Sequence, residues 1–131
     1  MQAENIGEIL LAKMSRDGRR IVEELVPEWV AYFAAKNAGY GDMHQDLGVR
    51  AQYVDLHRKT RKLKRAFWDN EDIGDETPRE VAMDLIGHCF LAICLIDQEA
   101  AKAESDRAIQ IRTDAAFGRT PTNLDRREPT N

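Results

Sequence analysis

The sequence predicts an all-α protein, a helical bundle of about four helices. In several segments apolar residues recur at spacings of three and four, as they do along one face of a helix. Capping residues, prolines and glycines mark where these segments start and stop. No stretch of useful length alternates apolar and polar residues in the way a half-buried strand does, so we expect no sheet.

The length and composition predict a single domain. The chain has 131 residues, of which 43% are hydrophobic and 32% charged. We predict one helical domain over residues 1–117 and a flexible or extended tail over 118–131, which holds two prolines and few apolar residues. The net charge of -4 argues against general nucleic-acid binding. With no signal peptide and no apolar run long enough for a membrane span, we expect a cytoplasmic protein without membrane contact.

The N-terminal part of the chain predicts two helical segments. The first covers residues 3–16, and we expect Asp17-Gly18 to interrupt it. The helical period then resumes at Arg19 and contains Pro27, which lacks an N–H group and clashes with the preceding turn. We therefore expect a kink or a helix restart at the proline. Two glycines within residues 36–42 predict the helix end and a turn.

The next predicted helix, residues 47–68, is amphipathic. Its apolar seam has spacings of four and three: Val49, Tyr53, Leu56, Thr60, Leu63 and Phe67. Residues 58–65 hold six basic residues on and around the opposite face. These are either a solvated surface near a helix C-terminus, where cations suit the helix dipole, or a patch that faces phosphates.

The most apolar segment of the chain predicts a helix that begins after Thr77. Thr77 is a suitable N-cap, Pro78 suits the first helical position, and Glu80 stands three residues after the cap. Because apolar residues cover most of the circumference up to Asp97, we expect this helix to be buried. Its two cysteines, Cys89 and Cys94, are then expected to be buried free thiols in a reducing compartment. The helix either continues past Asp97 or gives way to a short fourth helix.

An ionisable stripe runs along this apolar helix. Glu80, Asp84 and His88 are spaced four residues apart and share one face. Such groups are costly in a packed interior unless they are paired or bind a metal. If the two helices pack antiparallel, Gln52 and Asp55 can face the stripe. Carboxylates that converge from two helices suit Mg²⁺, which prefers oxygen ligands.

We therefore predict a magnesium site and its ligand. Asp55, Glu80 and Asp84 are the predicted metal ligands and catalytic residues. Four further residues are predicted to bind the nucleotide: Arg58, Lys59, Lys62 and His88. The three basic side chains would contact its phosphates, and His88 would support the site. A bound Mg²⁺ can hold phosphates and activate water for attack on a phosphoanhydride.

Each predicted ligand also has a structural alternative. Glu80 can be the reciprocal half of a capping box with Thr77. Asp84 can form a buried ion pair with a basic residue of helix 47–68. His88 can be a hydrogen-bonded core histidine, and Asp55 can pair with Lys59 on the same helix.

Three segments carry a family resemblance. They are K-N-A-G-Y-G (36–41), L-G-V-R-A-Q-Y-V-D-L-H-R-K-T-R-K-L-K-R (47–65) and R-E-V-A-M-D-L-I-G-H (79–88). Over residues 28–97 the chain resembles small phage and bacterial proteins of the MazG-like group, and most of all the nucleotide-modification-associated domain found in phage genomes. The resemblance implies a relationship to the all-α nucleoside triphosphate pyrophosphohydrolases.

Those enzymes bind Mg²⁺ between acid pairs on two helices, cleave NTPs or dNTPs to the monophosphate and pyrophosphate, and assemble as dimers or tetramers. The resemblance thus implies a homo-oligomeric, Mg²⁺-dependent nucleotide pyrophosphohydrolase. Where the family has an E-E-x-x-E motif, this chain has only Gln52 and Asp55. The alternatives are a non-catalytic nucleotide-binding protein that kept the fold, and a structural or interaction protein in which the stripe is a buried polar network.

Overall fold

The computed structural model describes residues 3–118, and in that part of the chain the protein is all-α, as predicted. The elements in order are α1 (Ala3–Lys13), α2 (Arg16–Arg20), a π-helical turn (Ile21–Leu25), α3 (Val26–Tyr40), α4 (Met43–Phe67) and α5 (Pro78–Ala116). Because α2, the π-turn and α3 follow one another without a break, they form one helical stretch. The described residues thus contain four helical stretches and no strand.

Contacts between residues divide the chain into two compact units. The first ends at Ala92 and the second begins at Ile93, so α5 contributes to both. The prediction of one domain over 1–117 remains a prediction. Of the predicted tail, 118–131, only Gly118 lies within the described residues.

The first interruption of the helices lies earlier than we predicted. It falls at Ser15 rather than at Asp17-Gly18. The Ser15 hydroxyl accepts a hydrogen bond from the Gly18 backbone N–H at 3.1 Å, which makes the serine the N-cap of α2. With its first turn capped, α2 accommodates Asp17 and Gly18 as helical residues.

Pro27 lies in the first turn of α3, directly after the π-turn. The Val26 N–H donates to the carbonyl of Ile21, five residues back, in the π-helical pattern. Because Pro27 has no N–H group, it cannot donate to a carbonyl of the preceding turn, and the π geometry lies directly before this missing hydrogen bond. The predicted restart therefore takes the form of a change from π to α geometry, and the chain stays helical through it.

Two glycines shape the passage from α3 to α4. Gly41 ends α3 with φ 56°, and its N–H donates to the Asn37 carbonyl at 2.7 Å. Gly48 lies inside α4 with φ 74° and ψ -173°, a conformation that is essentially restricted to glycine. Regular helix therefore starts again at Val49, close to the predicted start at Leu47.

Aromatic side chains join α3 to α5 in the first unit. The Trp29 ring stacks on Phe33 at 5.0 Å and lies 5.1 Å from the Phe90 ring. The indole Nε1–H of Trp29 donates to the Met83 carbonyl at 3.1 Å. Gly87 permits this approach, since a Cβ there would lie 3.3 Å from Phe33.

The predicted burial of α5 is wrong. Among the described residues only Val81 and Leu95 are buried hydrophobic side chains, whereas Ile86 and Phe90 are about half exposed. Cys89 and Cys94 are free, as predicted, but both are exposed. An apolar helix needs neighbours on every side, and the first unit offers α5 too few of them.

The second unit contains one buried carboxyl group. Asp114 accepts a hydrogen bond from the Gln110 side-chain amide, one helical turn away, at 2.8 Å. Thr113 donates to the Ile109 carbonyl at 2.9 Å. Within the described stretch no helix is both long enough and apolar enough to cross a membrane.

Candidate functional site

A cavity of about 450 Å³ lies in the first unit between α3, α4 and α5. Aromatic and aliphatic side chains line part of it. Uncharged polar side chains and six charged ones line the rest; the charged ones are Lys36, Asp55, Arg58, Lys59, Glu76 and Asp84. This size falls within the range of small-molecule sites in proteins. The cavity is therefore the candidate site.

Asp84 is the centre of the polar network at this site. Its Oδ1 accepts hydrogen bonds from the Lys36 ammonium at 2.7 Å and from the Tyr32 hydroxyl at 2.8 Å. Its Oδ2 accepts a hydrogen bond from the Lys59 ammonium at 2.8 Å. The structural alternative for Asp84, an ion pair with a basic residue of the preceding helix, is thus present.

This arrangement keeps the Asp84 carboxylate ionised. Partial burial alone would raise its pKa, but hydrogen bonds from Lys36, Lys59 and Tyr32 outweigh burial and lower the pKa to about 2. For Lys36, burial opposes the charged form, and the bonds to Asp84 and Tyr32 raise its pKa above the usual range. Burial raises the pKa of Tyr32, so its hydroxyl stays protonated near neutral pH and can donate to Asp84.

Glu76 extends the network from the loop before α5. It accepts hydrogen bonds from Lys59 at 3.3 Å and from Lys62 at 2.5 Å. The hydrogen bond from Lys62, and after it the hydrogen bond and charge of Lys59, hold the pKa of Glu76 below its usual value. Lys59 thus has two carboxylate partners, which explains how an ammonium group can be buried on α4.

The predicted residues Asp55, Arg58 and His88 lie together at another part of the wall. Arg58 donates to Asp55 at 3.1 Å, so Asp55 pairs with Arg58 rather than with Lys59. His88 Nδ1 lies 3.1 Å from the side-chain oxygen of Gln52 and 4.0 Å from Asp55. Burial lowers the pKa of His88, which favours the neutral ring at neutral pH.

Glu80 lies in the capping box and not in the cavity wall. Its carboxylate accepts a hydrogen bond from the Thr77 N–H at 3.1 Å, and its own N–H donates to the Thr77 hydroxyl at 3.2 Å. Both hydrogen bonds satisfy N–H groups that lack helical partners. The structure therefore contains the structural alternative for Glu80, the capping box with Thr77.

The predicted metal triad is not assembled in this arrangement. Asp55 and Asp84 line the same cavity, but Glu80 faces Thr77. Both oxygens of Asp84 already accept hydrogen bonds from ammonium groups. Across residues 3–118 no three His, Cys, Asp or Glu side chains are grouped so that they could hold a metal ion. The donor set as it stands does not fit Mg²⁺.

Three residues of the network were absent from our predicted site: Tyr32, Lys36 and Glu76. Tyr32 and Lys36 are four residues apart on α3, and the Lys36 ammonium lies 4.6 Å from the centre of the tyrosine ring. Their spacing was visible in the sequence, but their partner Asp84 is about fifty residues away. Glu76 lies in a loop with several acidic residues, and sequence position does not indicate which of them reaches the lysines of α4.

The formal charges of the cavity wall cancel, but the charged side chains differ in how far they are exposed to solvent. Three carboxylates face three cations if the histidines are neutral. Among the cations, Lys36 is 46% and Arg58 62% exposed, but Lys59 only 8%. Among the carboxylates, Asp84 is 10%, Asp55 33% and Glu76 36% exposed. The two most exposed charged side chains of the wall are therefore cations, which favours an anionic group in the ligand.

Comparison with known proteins does not add to this geometry. No protein family, no curated protein and no solved structure matches the chain.

Proposed function

We propose that this protein binds a nucleoside triphosphate, NTP or dNTP, in the cavity between α3, α4 and α5. The observation that carries the proposal is the pair of accessible cations, Lys36 and Arg58, beside the covered carboxylate of Asp84. The phosphate chain would lie against these two residues. Ammonium and guanidinium groups make strong charge-assisted hydrogen bonds to phosphate oxygens.

The mixed character of the wall supports a nucleotide over a simple anion. The wall combines two kinds of side chain, charged ones and aromatic or aliphatic ones. A nucleotide also has two parts, an anionic phosphate chain and a planar base. The net charge of the chain, -4, gives no support to a nucleic-acid ligand, for which an extended basic surface is expected.

Binding without turnover is the form of this function that the contacts support best. Asp84 is engaged by two lysines and Glu80 by its cap, so neither presents a free carboxylate to a metal ion. The Mg²⁺-dependent pyrophosphohydrolase is the second candidate. It is favoured by the three carboxylates of Asp55, Glu76 and Asp84, which line the same cavity as Arg58 and Lys59.

Titration calorimetry tests the proposal directly. Each of the four dNTPs and ATP is titrated into the protein, with and without MgCl₂, and pyrophosphate release is measured in parallel. We expect binding with dissociation constants in the micromolar range, as for many small-molecule sites, and no pyrophosphate. Pyrophosphate release that requires Mg²⁺ would establish the second candidate instead.

Lys36→Gln is the informative variant and Lys64→Gln its matched control. Lys36 lines the cavity. Lys64 does not line it, and its ammonium lies 3.8 Å from the Asp69 carboxylate. Loss of one charge-assisted hydrogen bond predicts an affinity about tenfold lower for Lys36→Gln. Lys64→Gln should bind as the parent does. If no nucleotide binds at millimolar concentration, the remaining hypothesis is a structural or interaction protein with a buried polar network.

We propose further that the protein is a homodimer. Only two hydrophobic side chains of the described residues are buried, too few for a chain of this length to be stable alone. Val26 and Val30 share one face of α3, and Ile86 and Phe90 share one face of α5; all four side chains are about half exposed. A second copy is the commonest partner for such a face. A cytoplasmic location is part of the proposal, because both cysteines are free.

A further inference from the structure

The most exposed apolar side chains of the cavity wall come from one short segment, residues 40–47, which we call the mouth segment. Three of its side chains line the cavity and remain largely exposed: Tyr40 at 68%, Met43 at 60% and Leu47 at 68%. Apolar groups that are exposed in a cavity wall lack the contacts that such groups normally make. They are therefore available to a ligand.

The mouth segment has glycines at or beside both ends. Gly41 and Gly48 both have positive φ, and no atom lies within 4 Å of a Cβ built at either position. The glycines are thus required by the backbone conformation and not by lack of space. They turn the chain into and out of residues 42–47, so that Tyr40, Met43 and Leu47 face the same cavity although they lie on both sides of Gly41.

From this arrangement we infer that Tyr40, Met43 and Leu47 bind the base of the nucleotide and determine how strongly a nucleotide is preferred over a bare polyphosphate. The inference rests on the proposed function, because it assigns the second half of the ligand whose phosphates would contact Lys36 and Arg58. A tyrosine ring stacks on a planar base, and aliphatic side chains cover the faces that the ring leaves open.

The experiment compares two ligands that share the anionic part. The dNTP that binds most tightly is titrated against inorganic tripolyphosphate, which has the phosphates and no base. For the parent protein we expect the dNTP to bind at least tenfold more tightly than tripolyphosphate. The variant Tyr40→Ala/Leu47→Ala should lose at least tenfold in dNTP affinity and keep its affinity for tripolyphosphate within about twofold.

Tyr53→Ala is the matched control. Tyr53 is 67% exposed on α4, as exposed as Tyr40, and does not line the cavity. It should leave both affinities unchanged. Thermal unfolding of each variant shows whether the fold is retained. Tyr40→Phe, which keeps the aromatic ring, should keep most of the preference for the nucleotide that the double variant loses.

The outcomes separate the inference from the proposed function. Equal losses for both ligands in the double variant would overturn the inference and leave nucleotide binding in place. The same holds if the double variant binds the dNTP as tightly as the parent does. If the parent binds tripolyphosphate as well as any dNTP, the mouth segment recognises no base, and the site binds only polyphosphate. If the parent binds neither, the proposed function fails and the inference fails with it.

Discussion

Lys59 donates a hydrogen bond to Oδ2 of Asp84 across 2.8 Å and thereby joins α4 to α5. Both side chains are covered, at 8% and 10% exposure. A buried ammonium and a buried carboxylate each lose most of their hydration, and they are stable here because each has several polar partners. This pair explains why the acids of the two helices do not converge on a metal ion.

Removal of one member of this pair should be costly. We expect Lys59→Met to lower the free energy of unfolding by about 3 kcal/mol, because it removes a partner from Asp84 and from Glu76. Lys59→Met/Asp84→Leu should recover part of that loss, since it leaves no unpaired carboxylate at position 84. Urea denaturation of the parent, Lys59→Met, Asp84→Leu and the double variant measures both effects. Strict additivity of the two substitutions would contradict the buried pair.

Stability should fall in acid through Asp84. Its pKa is about 2 in the folded protein and near 3.8 in the unfolded chain, so the unfolded state binds the proton first as the pH falls. The contribution is complete above about pH 5 and is lost as the pH falls through 4 towards 2, by about 2 kcal/mol in all. Denaturation measured at a series of pH values should show this loss. Asp84→Asn should remove it, and an unchanged acid slope in that variant would assign the loss to other carboxylates.

Glu80 distinguishes a capping role from a metal role. Glutamine can replace glutamate in a capping box but is a poor magnesium ligand. We therefore expect Glu80→Gln to change neither the stability nor nucleotide binding by a measurable amount. Thr77→Ala, which removes the hydroxyl that accepts from the Glu80 N–H, should cost about 1 kcal/mol in thermal unfolding. Mg²⁺-dependent turnover that disappears in Glu80→Gln would restore Glu80 as a metal ligand.

Two glycine-to-alanine substitutions should have opposite signs. Gly48 has φ 74° and ψ -173°, where a Cβ is strained, so Gly48→Ala should destabilise by about 1–3 kcal/mol. Gly39 lies in α3 with helical neighbours and with open space where the alanine methyl group would lie, so Gly39→Ala should stabilise by about 0.5–1 kcal/mol. Thermal unfolding of both variants checks the signs. A stabilising Gly48→Ala would show that the backbone at residue 48 is ordinary helix.

Self-association should depend on the apolar face of α3 and α5. Val30 is 52% and Ile86 44% exposed, and we expect Val30→Glu or Ile86→Glu to convert the dimer to monomer. Val54→Glu is the control, since Val54 is 61% exposed on α4, outside that face. Sedimentation velocity gives the mass of each protein. A parent that is monomeric at high micromolar concentration would contradict the homodimer, and dissociation by Val54→Glu alone would move the interface to α4.

Local signals made most of the fold predictable. Thr77, Pro78 and Glu80 specify the start of α5 within four residues of sequence, and the capping box forms as their spacing indicates. Gly41 marks the end of α3 in a similarly local way, through its hydrogen bond to the Asn37 carbonyl. These features depend on hydrogen bonds between near neighbours in the chain, which spacing alone can reveal.

The candidate site was less predictable because its contacts join distant residues. The sequence placed Asp84 on a polar stripe and allowed it either a metal or a lysine as partner. Only the packing of α3 and α4 on α5 brings Lys36 and Lys59 to its two oxygens. The burial of α5 was wrongly predicted for a related reason: hydrophobic periodicity shows which residues avoid water, but not whether their own chain supplies the cover.

The π-turn at Ile21–Leu25 contains one residue more than the same length of α-helix would need. Deletion of any one residue there would let the chain close into regular α-helix. Because the five residues of the π-turn advance the chain around the helix axis about as far as four α-helical residues do, everything before the turn, including α2, would keep nearly its present orientation relative to Trp29. If the turn became α-helical with all five residues, those elements would instead rotate by about 100°, the angle that one α-helical residue contributes. The π geometry therefore absorbs one residue, and the directions of the apolar side chains before the turn depend on that geometry being kept.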